Sequence, residues 1–303
     1  MTKKVMVIKG GFSSEREVSL NSALSVEKAL QKKGYQVISH ILNDTTQLIS
    51  ALNQEKPDVV FNSLHGNFGE DGSIQALLDL LQIPYTHSGM SASNVGMNKH
   101  LTKLIAENEG IKTPQGQKMT AKDFITSASS FERPFVVKPV SDGSSVGVYL
   151  IKNPEDIFKI RYADPNTELL VEKFIEGKEL TVMCYKGTAK VVTELKPKTG
   201  FYDYENKYTP HATTHIIPAE IPDNIRDICL KYAEIMHKKL GCNTISRSDF
   251  RYNPTDGVVF LEINTHPGMT TLSLVPEQAQ YLGISYEDLC STLVQEATCR
   301  PLK

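Results

Sequence analysis

The chain has 303 residues, 40% hydrophobic and 22% charged, which is enough to bury a core in two domains or three small lobes. Its formal net charge of -2 excludes the basic field that nucleic acid or an anionic membrane would need, so small molecules are the expected partners. Cys184, Cys229, Cys242, Cys290 and Cys299 make no CxxC pair and no zinc spacing, and the only apolar run near the start is Val5 to Ile8, so a reduced, cytoplasmic chain is expected.

In chain order, Val5 to Ile8 reads as a buried strand and Gly10-Gly11 as a turn. Ser14 with Glu17 three residues later reads as a capping box opening a helix, whose stripe runs through Leu20, Ala23, Leu24, Val26 and Leu30 and is interrupted by Glu27. Strands at Val37 to Leu42 and Val59 to Leu64 alternate with helices at Thr45 to Asn53 and Ser73 to Leu81, the signature of a parallel sheet with helices on its faces. A helix over Ala92 to Asn108 follows, then a strand at Phe135 to Val140. From Leu169 the pattern turns to strands broken by a polar, tyrosine-bearing loop (Thr199 to His215), a helix from Asn224 to Leu240, two strands and a last helical region. Lobe boundaries are expected near Ser93 and Glu179, which divides the chain into 1–92, 93–178 and 179–303.

Arg247-Ser248-Asp249-Phe250, the turn Asn253 to Gly257, and Phe260-Leu261-Glu262-Ile263-Asn264 read as a hairpin. Side chains alternate along a strand, so Arg247 shares a face with Asp249, and Glu262 shares one with Asn264. Folding between Thr255 and Asp256 sets Asp249 opposite Glu262. Facing carboxylates repel unless a cation lies between them, and Asp, Glu and an Asn carbonyl are hard oxygen ligands suited to magnesium. A solvated polar hairpin face would carry the same residues.

Val136-Val137-Lys138-Pro139 leads into Ser141-Asp142-Gly143-Ser144-Ser145-Val146-Gly147. Gly143 to Gly147 matches the GxSxG elbow of serine hydrolases with Ser145 as nucleophile, but that motif needs a helix directly after the serine, and Val148 to Ile151 read as strand. A small-residue loop between strands can instead offer backbone N–H groups to phosphate, with Lys138 as a point charge. Leu64-His65-Gly66 and Gly69 to Gly72 follow a strand where active-site loops of open α/β sheets gather. Glu172-Lys173-Phe174-Ile175 can line an adenine slot or end a bare surface strand. Gly10-Gly11 lacks the third glycine of a dinucleotide fingerprint.

Taken together, Gly10 to Ser19, Leu64-His65-Gly66, Gly69 to Gly72, Tyr202-Asp203-Tyr204-Glu205-Asn206-Lys207-Tyr208 and Glu262 to Thr270 resemble the D-alanine:D-alanine ligases of the ATP-grasp superfamily, in order and over nearly the whole chain. The resemblance implies an α/β fold in which an N-terminal open parallel-sheet lobe is followed by a two-lobed ATP-grasp domain. It implies ATP and two magnesium ions (manganese as a substitute), two D-alanine substrates joined through an acyl phosphate, and a homodimer. Asp249, Glu262 and Asn264 would hold metal. Lys99, Lys138, Lys207 and Ser145 would meet phosphates, and Glu172, Lys173, Phe174, Ile175 and Glu179 would form the adenosine pocket. Glu15 would pair with the first substrate's ammonium beside His65, Arg247 and the Gly268 N–H would stabilise the oxyanion, Ser273 with Lys207 would hold the second carboxylate, and Ser144 and Tyr208 would link to Glu15. Ser248 and His266 depart from the usual pattern and are expected to affect packing only. The competing activities are D-alanine:D-lactate ligation, discriminated at Tyr208, a serine hydrolase, and a silent nucleotide-binding module.

Overall fold

The computed structural model describes residues 2–143, 146–198, 212–270 and 273–302. Ser144, Ser145, Lys207 and Tyr208, all expected at the site, lie outside these residues.

The first sheet is parallel, in the order β2 (Gln36–Leu42), β1 (Lys4–Gly10), β3 (Val59–Asn62). On one face α1 (Arg16–Lys32) packs Ala23, Val26, Ala29 and Leu30 against Val5, Val7 and Phe61. On the other, α2 (Thr45–Glu55) and α3 (Ser73–Leu80) bury Leu48, Leu52, Ile74 and Leu78 against Met6, Ile8 and Val60. Two details of the first helix differ from expectation. The capping box does not form: α1 starts at Arg16 with Glu15 as N-cap and no side-chain cap, because Ser13 takes the local role, accepting the Glu15 N–H (3.2 Å) and donating to the His65 carbonyl (2.6 Å). Leu24 is 51% exposed, whereas Glu27 turns inward to Lys9 (2.8 Å).

The stretch expected as one helix over Ala92 to Asn108 is two, α4 (Met90–Met97) and α5 (Lys99–Asn108). Asn98 breaks it with an extended ψ of 96° and caps the second helix by accepting the Leu101 N–H, while the Lys99 N–H leaves the helix for the Val140 carbonyl (2.9 Å). That bond pins the start of α5 to the second sheet. This sheet is antiparallel, ordered β4 (Gly116–Thr120), β7 (Glu168–Lys173), β5 (Phe135–Pro139), β6 (Tyr149–Ile151), with α6 (Ala121–Ser127) closing its core through Phe124. The residues after Gly147 enter a strand, not the helix that a nucleophile elbow requires there.

The third sheet runs β11 (Thr213–Ile216), β10 (Thr193–Pro197), β8 (Lys178–Tyr185), β12 (Ile245–Asn253), β13 (Gly257–Asn264), with β9 (Thr188–Ala189) beside β8. The loop expected to reach His215 ends earlier, because Thr213 to Ile216, three of them β-branched, pair with β10. Helix α7 (Asp223–Leu240) covers one face with Cys229, Ala233 and Met236, and ends at Gly241 in the left-handed region. Helices α8 (Leu274–Tyr281) and α9 (Tyr286–Gln295) return to the first sheet: Val275, Ala279, Leu289, Leu293 and Val294 share one core with Val5, Val7 and Phe61. All five cysteines are free.

Candidate active site

Where the three sheets meet, one cavity of about 380 Å³ opens. It is lined by every described residue expected at the site: Glu15, His65, Lys99, Lys138, Glu172, Lys173, Phe174, Ile175, Glu179, Arg247, Asp249, Glu262, Asn264, Gly268 and Ser273.

Its floor is the β12–β13 hairpin, where Asp249 stands opposite Glu262 and Arg247 opposite Asn264. The pairing matches the sequence expectation but is reached by a different path. The turn centres on Thr255, with Asn253 paired to Gly257; the Asn253 side chain accepts the N–H groups of Thr255 (2.9 Å) and Asp256 (2.7 Å), and Gly257 sits at φ +73°. That register alone would place Leu261 opposite Asp249. A bulge past Phe260 adds one residue on β13 and brings Glu262 to the position instead.

Asp249, Glu262, Glu179 and Glu172 each have a cation beside them in the cavity. Arg247 clasps Asp249 through Nε (3.0 Å to Oδ1) and a terminal nitrogen (2.9 Å to Oδ2), and the Thr181 hydroxyl donates to the same carboxylate (2.6 Å). Lys99 lies 3.6 Å from Glu262, and its ammonium also donates to the Asp142 carbonyl. Arg251 pairs with Glu179 (3.0 Å) and lies 5.4 Å over the Phe174 ring. Glu172 is held between Lys138 (2.8 Å) and Lys103. Burial opposes the charged form of Glu172, yet the two ammonium groups outweigh it and hold the carboxyl below its ordinary value. Burial likewise opposes the Lys138 ammonium, and the charges of Glu172 and Glu262 overcome it and raise Lys138 above its ordinary value.

At the other end, His65 Nδ1 meets Glu70 (2.9 Å) and Nε2 faces the Ser22 hydroxyl (3.4 Å). Burial alone would discharge this ring, but the hydrogen bond and charge of Glu70, with the charge of Glu15, raise its pKa. A Cβ on Gly66 or Gly143 would stand 3.0 Å from the Glu15 carboxylate, so backbone approaches this group from two loops. At the far wall the Ser273 hydroxyl meets Thr270 Oγ1 (2.7 Å) and would lie 3.1 Å from a Cβ on Gly268.

Two family models match the chain: the D-ala D-ala ligase N-terminus over residues 43–88 and the D-ala D-ala ligase C-terminus over 105–295. Relatives named D-alanine–D-alanine ligase include that of Zymomonas mobilis, 48% identical with 97% of this chain and 94% of the relative covered, and that of Erythrobacter litoralis, 46% identical with 97% and 93% covered. The chain belongs to the D-alanine–D-alanine ligase family. Among solved structures, the Bacillus anthracis D-alanine–D-alanine ligase complexed with ATP is 30% identical, covers 98% of this chain and 97% of its own, and superposes with a TM-score of 0.83.

Beside the site of this D-alanine–D-alanine ligase family member stand residues that motif reading passed over. Lys103 and Arg251 carry ordinary spacing signals, one turn beyond Lys99 on α5 and two residues beyond Asp249 on β12, so each shares a face with a recognised residue. Glu70 lay within a quoted motif without a role. His215 lines the cavity and bonds Glu277 (2.6 Å), a contact between distant segments that no local pattern marks. The backbone N–H of His266 donates to Asn264 Oδ1 (2.8 Å), its ring meets His65 edge-on at 5.7 Å, and it lies tilted against the His87 ring at 4.0 Å. Burial pushes His87 down to about 3 and His266 well below its ordinary value. Ser248 points away from the cavity residues, its hydroxyl buried with no partner among the described residues.

Hard oxygen donors on facing strands fit a divalent cation of the magnesium class, and Asn264 Oδ1 keeps a lone pair beyond the one taken by His266. The match of residue types and register supports Asp249, Glu262 and Asn264 as that donor set.

Proposed function

We propose that this chain ligates two D-alanines at the expense of ATP, with magnesium, through an acyl phosphate. The observation that carries this reading is the register of the floor hairpin: it aligns Asp249 with Glu262 in the same cavity that gathers Lys99, Lys138, Glu15 and Arg247. A magnesium ion on Asp249, Glu262 and Asn264 would supply counter-charge to the triphosphate. Lys99 and Lys138 would orient phosphate oxygens, and Glu172 to Ile175 with Glu179 would take the adenosine. Glu15 beside His65 would receive the first D-alanine's ammonium, leaving its carboxylate to attack the terminal phosphate. Arg247 and the Gly268 N–H would stabilise the oxyanion formed as the second amine attacks, and Ser273 would hold the second carboxylate. Phosphoryl transfer asks of the protein mainly positioning and neutralisation, and this cavity is built of those parts. Excluding water protects the acyl phosphate, a task we assign to the segment with Lys207 and Tyr208 and to the loop with Ser144 and Ser145.

The same reading places the protein in the cytoplasm as a homodimer, with lobes at 1–92, 93–178 and 179–303; each sheet falls within one of these ranges except that β8 begins one residue before the last. Among the described residues, no helix is long and apolar enough to cross a membrane. The test is phosphate release from ATP with D-alanine, L-alanine or no amino acid. Release with D-alanine alone is expected; equal release with L-alanine, or none with either, rejects the assignment. Adding D-lactate or D-serine as a second substrate tests the neighbouring specificities, since the VanG D-Ala:D-Ser ligase of Enterococcus faecalis shares the fold at 26% identity and a TM-score of 0.76.

A further inference from the structure

Lys99 and Lys103 stand one turn apart on α5, an arrangement in which like charges repel unless each has its own counter-ion. Lys99 lines the cavity and faces Glu262. Lys103 is not among the lining residues. It is buried, donates to the Pro114 carbonyl (2.7 Å), and contacts Oε1 of Glu172, while Lys138 holds Oε2 of the same carboxylate (2.8 Å). Glu172 itself is 3% exposed, so water does little to stabilise its charge.

This arrangement poses a problem for Lys138. Its ammonium is committed to Glu172, and turning it toward a nucleotide phosphate would strand a buried carboxylate, a costly state unless a second cation stays behind. Lys103 meets that need. Its bond to the Pro114 carbonyl anchors it, and it reaches the oxygen that Lys138 does not use.

We propose that Lys103 is a positioning residue: a resident counter-ion for Glu172 that releases Lys138 to bind nucleotide phosphate. The proposal rests on the reading that Lys138 meets a phosphate. Without Lys103, Glu172 holds Lys138 as its one close cation in the Lys103–Glu172–Lys138 group, and the phosphates lose a partner although no group lining the cavity has been removed.

The readout is the ratio of ATP to AMP affinity, measured by calorimetry on the full chain, because contacts to the adenosine cancel in it. Lys103→Met is expected to lower the ratio by about tenfold, the scale of losing one charged contact, with Lys103→Arg restoring most of it. In the Glu172→Gln background there is no carboxylate to hold Lys138, so adding Lys103→Met is expected to leave the ratio unchanged. A merely structural lysine would lower ATP and AMP binding together, or act equally in both backgrounds, and either result overturns the proposal. Lys138→Met separates the two readings. If it lowers the ratio while Lys103→Met does not, the counter-ion role fails alone; if it leaves the ratio unchanged, the phosphate role of Lys138 fails first. Should Lys103→Met not fold, the double variant still decides: its ATP-to-AMP ratio is expected to equal that of Glu172→Gln alone, and a lower ratio overturns the proposal.

Discussion

Asp249 and Glu262 face each other with cations already at hand, Arg247 on one and Lys99 near the other. Two carboxylates so placed would disfavour each other, and their persistence is explained by neighbouring positive charge, a role that an incoming divalent cation can share. Replacing Asp249 or Glu262 with Ala is expected to reduce ligation on the order of 100-fold or more, by analogy with loss of a transition-state charge contact. Initial rates across a magnesium titration check this, and near-normal turnover at saturating magnesium would remove both residues from the metal site. His65 yields a second residue-level expectation. Its pKa is raised in the folded state above the ordinary 6.5, so the Glu70 pair contributes stability fully present below that value, and this is lost as pH rises through the folded pKa. Glu70→Gln is therefore expected to lower Tm more at about pH 5.5 than at about pH 9. Equal losses at both would show that Glu70 acts here through packing alone.

The floor hairpin shows how an element can reach an expected pairing by two compensating irregularities. A three-residue turn closed by Gly257 sets one register, and the bulge before Glu262 shifts it by one, which returns both Glu262 and Asn264 to the cavity face. Gly257 is open to test because a Cβ there meets nothing within 4 Å, so substitution strains only the backbone at φ +73°. Gly257→Ala is expected to cost about 1 kcal/mol in urea unfolding, with the turnover of folded protein retained. A much larger loss, or an altered magnesium requirement at full folding, would mean that the turn sets the register beyond its own strain. The break at Asn98 is comparable: a continuous helix would carry Lys99 on without the bond from its N–H to Val140, and α5 would lose its tie to the second sheet.

At the scale of the molecule, the two ends of the chain form one core. Leu289, Leu293 and Val294 of α9 pack with Val5, Val7 and Phe61, and Tyr85 exchanges backbone hydrogen bonds with Thr298 (3.0 and 3.3 Å). The wall carrying Glu15 and the floor carrying Asp249 are thereby held together through a shared hydrophobic seam. Leu293→Ala is expected to destabilise the fold by about 2–5 kcal/mol. Hydrogen exchange should then rise in β1 as well as in α9. Faster exchange confined to α9 would show that the last helix opens independently.

Most strand and helix identities and the face shared by Arg247 and Asp249 were legible in the sequence because they depend on local periodicity, which a chain carries within a few residues of itself, whereas the wider set of candidate residues came from the resemblance to a known family. The Ser14–Glu17 capping box does not form: the helix starts one residue later than that box would place it, beside a tertiary contact in which the Ser13 hydroxyl donates to the His65 carbonyl, 52 residues away in sequence. The ring contacts of His266 were hidden for a similar reason, since His65 and His87 reach it only through the tertiary fold. Lys103 is the clearest case: its spacing from Lys99 was visible, but its purpose depends on Glu172, 69 residues further on and buried beside it. The sequence by itself determined which chemical groups exist and along which elements they lie; tertiary structure alone decided which charges face one another out of water, because a charge's cost and its partner are set by burial and by neighbours across the fold.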